Sequence, residues 1–336
     1  MRTSIRSLLG RRHANPQPHS NAATEQDVRD CYRLLLNKEP DEAGLAYWRS
    51  LIRTKQIPVS AIVDAMLKSV EFKALHAARN KPSLVECAEF KIYARANDLF
   101  IGKAIIQTRE YEPHVAQQVR RLLRPGDAFV DVGANVGFFT LLAATLVGPH
   151  GKVIAFEPNS DNCDLLRHSL AQNKLNNVRL HQTAVAEAAG QIALSSGGAD
   201  SNARIMRPEE LHGLQEHFAH VEAVTLDEAL QGESRIDLIK MDIEGAEPRA
   251  WQGMQAVLRN HRPALISEYS PDLIRATSNC DPRSYLEQLW QGHTVSILER
   301  SGVTRPVAGV QEIVDAHTAA ATAGLKHLDL LALPRV

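Results

Sequence analysis

Residues 129–140 read FVDVGANVGFFT. Phe129, Val130 and Val132 fit a buried strand, with Asp131 the odd polar residue near its C-terminal end. Gly133 lets the backbone turn sharply where the strand stops. From Val136 the chain (VGFFTLLAATLV) is apolar nearly all round, as expected of a helix buried on every face. Gly137 is expected to let that helix pack closely on the strand. Strand, glycine turn and buried helix open a doubly wound α/β sheet, whose ligands sit beyond the carboxyl ends of the strands.

The turn departs from the dinucleotide fingerprint G-x-G-x-x-G at one place. There a second glycine lets a pyrophosphate approach the backbone. Here Asn135 stands instead, and its side chain would crowd a diphosphate. The next strand, in KVIAFEPNS, ends on Glu157, 24 residues after Gly133. An acid at that distance suits the two hydroxyls of a ribose, since a carboxylate can accept both hydrogen bonds. The site therefore suits a nucleoside without phosphates. One that also carries a positive centre is S-adenosylmethionine. Asp131 could engage its ammonium or the first-turn backbone, and the N–H groups near 135–137 could take its carboxylate.

Outward from this point the pattern alternates. Strands are expected over 128–132, 152–156, 178–185, 235–242 and 263–268, and helices over 136–147, 160–174, 247–260 and 281–291. Such alternation argues a mostly parallel sheet covered on both faces. HLDLLALP is expected to close an edge as one antiparallel strand. Before the opening stretch, short strands are expected around EFKIYAR and LFIGKAI, then a helix through EPHVAQQVRRLL and a turn at RPGD. Residues 186–225 read as extra strands and loops, with SSGGADSN (195–202) a flexible bend.

The chain has 336 residues, 44% apolar and 23% charged, which suggests two soluble domains. Its net charge of −1 offers no general attraction to nucleic acid or membrane. Residues 1–83 carry 14 Lys and Arg against 8 Asp and Glu, the remainder 24 against 31, so a basic part precedes an acidic one. No apolar run reaches the roughly 20 residues of a membrane span. Residues 1–23 are expected to form a disordered basic tail, the alternative being weak membrane-surface contact. Residues 24–80 read as a small helical module. One helix face carries Val28, Cys31, Leu34 and Leu35; the next helix, after a turn at Pro40 and Asp41, carries Leu45, Trp48 and Leu51. Ser60 and Ser69 are candidate N-caps. NKPS (80–83) is the expected linker to a catalytic domain over 84–336. Cys31, Cys87, Cys163 and Cys280 form no CxxC pair, so no zinc or redox motif is signalled and a reducing, cytoplasmic setting is expected.

A second polar cluster follows in IDLIKMDIEGAE. Leu238, Lys240 and Asp242 share one strand face, and burying a lysine and an aspartate there is costly unless they are paired or functional. Gly245 makes the turn. Glu244 and Glu247 sit at the N-terminus of the following helix, where negative charge is favoured. RPALISEYSP places Glu268 at a third strand end. REYEPH supplies Glu110, Tyr111, Glu112 and His114.

Two motifs, FVDVGANVGFFT and VIAFEPN, resemble the first two motifs of class I methyltransferases. More narrowly, REYEPHVAQQVRRLLRPGDAFVDVGANVGFFT with IDLIKMDIEGAEPRAWQGM resembles the FkbM family, over about residues 90 to 333. The resemblance implies a Rossmann-like α/β domain and an O-methyltransferase acting on hydroxyls of sugars, glycolipids or polyketide-like products. It implies that Asp131, Gly133, Asn135, Gly137, Glu157, Ala184 and Asp242 hold the cofactor. Asp242 would face the transferring methyl group. Asp242 or Glu268 would be the general base, Lys240 would orient the acceptor, and Tyr111, Glu244 and His114 would line the substrate side, with His114 an alternative base. No metal is required, although Asp242, Glu244, Glu247 and Glu268 could together bind Mg²⁺ or Ca²⁺. YRLLLNKEPDEAGLAYWRSLI followed by SVEF resembles a bacterial domain of unknown function found with glycan-modifying proteins, which leans the substrate towards a saccharide. The rival readings are a nicotinamide-dependent oxidoreductase, disfavoured by Asn135, and a non-catalytic glycan-binding scaffold. Nucleic acid is not an expected partner: the catalytic strand ends show neither a basic patch nor an N-P-P-Y platform.

Overall fold

The computed structural model describes residues 22–195, 204–206 and 218–335. Most of the expected basic tail, and all of the SSGGADSN bend but Ser195, lie outside them. The chain divides into two compact units at Asn80–Lys81.

In the first unit, Thr24 opens α1 (Glu25–Leu36) with a capping box: its side chain accepts from the Asp27 amide, and the Asp27 carboxylate accepts from the Thr24 amide. Val28 and Cys31 are buried, but Leu34 is 81% exposed. It stands six residues from Val28, about 120° off the buried face. Asp41 caps α2 (Glu42–Lys55). The next helix, α3 (Val59–Lys68), starts one residue before the expected cap Ser60, directly after Pro58. Ser69 caps α4 (Val70–Asn80) as expected, its hydroxyl accepting from the Phe72 amide at 3.0 Å. Ala22 and Ala23 belong to this unit rather than to a tail: Ala22 bridges to Pro58, and Ala23 is buried and donates to the Ile57 carbonyl.

The second unit begins with a hairpin of β1 (Ser83–Glu86) and β2 (Lys91–Ala94). The strand expected at LFIGKAI is instead a helix, α5 (Ile101–Thr108). The Asp98 carboxylate accepts from the amides of Phe100 and Ile101, which starts the helix. Ile101 and Ile105 then fall on one buried face. After α6 (Pro113–Leu122) come β3 (Ala128–Val132), α7 (Phe138–Val147), β4 (Lys152–Phe156), α8 (Ser160–Asn173) and β5 (Val178–His181). The strand expected over 178–185 breaks after β5. Its second half, β6 (Ala184–Val185), joins β7 (Gly190–Ser195), β8 (Ile205–Met206) and β9 (Phe218–Val224) in a separate small sheet, ordered β6-β9-β7-β8.

A short α9 (Leu226–Ala229) precedes β10 (Leu238–Met241). The helix expected over 247–260 is two, α10 (Glu247–Gln252) and α11 (Gln255–His261), split at Gly253. A Cβ on Gly253 would lie 2.3 Å from the Ala186 carbonyl oxygen, so the backbones meet there. Next come β11 (Ala264–Tyr269), α12 (Pro271–Ser278), α13 (Pro282–Gly292), β12 (His293–Leu298), β13 (Thr304–Pro306), α14 (Val310–Thr322) and β14 (Leu328–Pro334).

Among the described residues the main sheet has the order β13-β12-β14-β11-β10-β3-β4-β5. The five strands β11, β10, β3, β4 and β5 run parallel. The antiparallel strand expected at an edge, β14, is inserted between β11 and β12. Its Asp329–Ala332 run is buried, which suits an interior place, while the edge goes to β13 with its proline. Alternation along β3 sends Phe129 into one apolar layer with Leu141 and Ile105, and Val130 and Val132 into the other with Met241, Leu265 and Trp251. Both faces are thus covered, and the site is left at the carboxyl ends of β3, β4, β10 and β11.

Candidate active site

A cavity of about 740 Å³ opens at those strand ends. Gly133, Asn135, Glu157, Ala184, Lys240, Asp242, Glu244, Glu268 and Tyr111 all line it. Asp131, Gly137 and His114, also expected at the site, do not.

The glycine turn explains part of this. Gly133 has φ +84°, and a Cβ there would meet the Asp242 carbonyl oxygen at 2.0 Å. The turn after β3 therefore presses on the end of β10. Gly137 has φ +95°, and its missing Cβ makes room for Leu166 of α8, not for the strand. The amides expected to hold a carboxylate are all engaged within the protein. Asn135 donates to Glu157 Oε2 at 2.8 Å, Val136 to Asn135 Oδ1 at 2.8 Å, and Gly137 to the Ala134 carbonyl at 2.9 Å. With Asn135 itself in the left-handed region (φ +50°), the turn folds back on its own acceptors.

Glu157 is 6% exposed at the end of β4. Its Oε1 accepts from the Asn159 amide and from Asn162 Nδ2, and its Oε2 from Asn135. Of roughly four acceptor sites on a carboxylate, three are engaged and one, on Oε2, remains. The side chain is thus locked in place and offers one acceptor rather than the two expected. Burial pushes its pKa up to about 7, against the pull of the backbone hydrogen bonds.

Asp131 is fully buried behind the cavity wall. Thr140 Oγ1 donates to its Oδ2 at 2.6 Å, and Oδ1 has no hydrogen-bond partner. Its role as an ammonium ligand is corrected: it stands beside Lys240 in the β3–β10 register. Lys240, 3% exposed, donates to Asp242 Oδ2 at 3.0 Å and lies 4.6 Å from the Phe139 ring centroid. Burial works against its ammonium, but Asp242, Asp131 and Glu112 outweigh it and hold the pKa above the ordinary lysine value. Lys240 is therefore a fixed cation that binds two strand ends and Asp242 together.

The acid side of the cavity is dense. Burial, then Asp242, raises Glu268 well above the usual carboxyl range and lifts Glu244 to about 7. Glu247 is fully buried outside the cavity, its Oε1 accepting from the Ile243 amide at 2.8 Å, so it ties the turn to its helix. Tyr111 lies edge-on to Phe138 and Phe139. His114 Nε2 is 2.6 Å from Asp329 Oδ2 and buried, which removes it as a base facing the cavity. The segment that supplies Tyr111 also brings Glu112 to the cavity, whereas sequence reasoning missed His327 and Asp329. Glu112 and His327 line the same cavity, and His327 Nδ1 stands 3.5 Å from Glu268 Oε2.

These residues fit a nucleoside sulfonium. An acceptor on locked Glu157 suits a ribose hydroxyl, apolar Phe156, Ala184 and Val185 line the wall beside it, and the acid side suits a positive centre. The parallel sheet in this strand order, with its glycine turn and closing acid, defines an S-adenosylmethionine-dependent methyltransferase. The family described as the Methyltransferase FkbM domain matches residues 131–284, and the methyltransferase sdnD of Sordaria araneosa is 30% identical over 235 residues, 59% of this chain and 86% of that protein. The chain belongs to the FkbM methyltransferase family. Residues 7–76 match a domain of unknown function, DUF4214. A probable cobalt-precorrin-6B C(15)-methyltransferase of Sulfurisphaera tokodaii is 31% identical over 93 residues, 28% of this chain and 48% of that protein. The crystal structure of a methyltransferase FkbM from Methylobacillus flagellatus is similar at TM-score 0.39 and 14% identity, over 87% of this chain and 71% of that one.

Proposed function

We propose that this chain methylates a hydroxyl of a saccharide, glycolipid or related natural product. The observation that carries the reading is the juxtaposition, in one cavity, of Glu157 on one side and Asp242, Glu244 and Glu268 on the other. S-adenosylmethionine, when bound, supplies an electrophilic methyl group and leaves as neutral S-adenosylhomocysteine. Glu157, Gly133, Asn135 and Ala184 would hold its adenosine. Asp242 or Glu268 would take the acceptor hydroxyl proton as the oxygen attacks. Lys240 would act through Asp242, fixing its carboxylate. Acids lining the acceptor side favour polyhydroxylated molecules, whose hydroxyls donate to carboxylates.

We read the chain as a basic tail, a helical module and a methyltransferase domain. Four free cysteines support a reducing, cytoplasmic setting. Among the described residues no helix is long and apolar enough to cross a membrane. Methyl transfer to glycan fractions from labelled S-adenosylmethionine tests the reading: labelled O-methyl sugars support it, and label found only on nitrogen or carbon refutes it.

A further inference from the structure

The histidines show no metal-ligand spacing in the sequence, yet the fold gathers a second candidate ligand set from distant places. Glu112 precedes α6, while His327 and Asp329 stand at the start of β14. One ligand atom from each lies within 4.8 Å of the others. His327 and Asp329, two residues apart on extended chain, share a face. Ligand atoms held about 2.1 Å from one divalent cation stand about 3–4 Å apart, so shifts of about 1 Å would close the set.

A second observation points into the same place. Glu112 Oε2 is buried without a hydrogen-bond partner, in a residue only 9% exposed. The nearby Lys240 ammonium is engaged by Asp242. Arg300, a second cation near Glu112, has a side chain 43% exposed; its Nη2 lies 3.8 Å from Asp329 Oδ2 and contacts His327 Nε2. Neutral imidazole is the form that ligates. His114 supports Asp329 from behind at 2.6 Å, as outer partners do for ligating carboxylates.

We propose that Glu112, His327 and Asp329 bind a divalent cation of the Mn²⁺ or Mg²⁺ class, with Arg300 swinging outwards to admit it. One imidazole and two carboxylates suit such hard or borderline ions. Because Glu112 and His327 line the cavity, an ion held by them would border the space left for the acceptor. The acceptor class follows, and this part rests on the methyl-transfer reading above: two neighbouring oxygens, a vicinal diol or a hydroxy acid, chelated so that one hydroxyl is oriented and acidified.

The test uses the full chain freed of metal, with Mn²⁺ alone titrated in and free Mn²⁺ followed by electron paramagnetic resonance. One ion per chain is expected. Glu112→Gln and His327→Gln should each weaken it at least about tenfold, while Glu244→Gln, a cavity acid outside the set, leaves it unchanged. No binding below about 1 mM, or wild-type affinity retained in both variants, overturns the proposal. If neither variant folds by circular dichroism, anomalous scattering from Mn²⁺ in wild-type crystals decides: density between the three side chains supports the site, and density elsewhere overturns it. Calorimetry with S-adenosylhomocysteine on the same sample separates the two readings. Nucleoside binding without a Mn²⁺ site sinks the cation alone, and a Mn²⁺ site without nucleoside binding sinks the methyl-transfer reading.

Discussion

Glu157 serves two demands that oppose each other. Its burial raises the pKa from 4.5 to about 7, so ionising it is costly in the folded chain. Its contribution to stability is therefore full below pH 4.5 and lost as the pH rises through 7. Its contribution to cofactor binding runs the other way, because only the carboxylate is a full acceptor. Affinity for S-adenosylhomocysteine should fall about tenfold per pH unit well below 7, and calorimetry at several pH values should show that slope flattened in Glu157→Gln. Lys240 gives a prediction of different kind. Lys240→Met strands Asp131 and Asp242 without their cation and should cost about 3–5 kcal/mol of stability in urea unfolding. A cost near zero would mean that the two acids find another partner. Asp242→Asn should leave nucleoside affinity nearly intact and cut turnover; unchanged turnover removes Asp242 as the base.

At the scale of elements, the turn after β3 decides the site. Gly133→Ala meets both a positive φ and a backbone oxygen, so it should lower the melting temperature and close the cavity floor. Gly126→Ala, at φ +90° but with open space around it, should cost only about 1 kcal/mol. Asp98→Ala should cost about 0.5–2 kcal/mol through the lost cap of α5. These contrasts also show what could be read from sequence. β3, α7, β4 and α8 were legible because apolar period, glycine and cap signals agree within a dozen residues. α5 was misread because LFIGKAI is as apolar as a strand, and the Asp98 cap lies just outside it. β6 was misread because a two-residue bend moves it to another sheet, which no local signal marks. Asp131 and the 135–137 amides were given to the ligand, whereas Thr140 of α7 holds Asp131 behind the cavity wall and the turn consumes the amides in its own hydrogen bonds.

At the scale of the molecule, the legible part is what one strand carries and the illegible part is what the sheet order assembles. Lys240 and Asp242 stand two residues apart and were readable as a pair. Glu268 and Asp329 meet only because β14 enters between β11 and β12, and Glu112 reaches the same cavity from before α6. The helical unit has its own core of Val28, Trp48, Ile62 and Met66. Residues 81–336 made alone should therefore bind S-adenosylhomocysteine with the affinity of the full chain, measured by calorimetry. The central claim is that a phosphate-free adenosine sits at the carboxyl edge of the sheet. A crystal structure with S-adenosylhomocysteine tests it most directly. The predicted result is a ribose hydroxyl on Glu157 Oε2, adenosine beside the Gly133 turn, and sulfur directed towards Asp242. Nucleoside density at any other position, with Glu157 untouched, would contradict it.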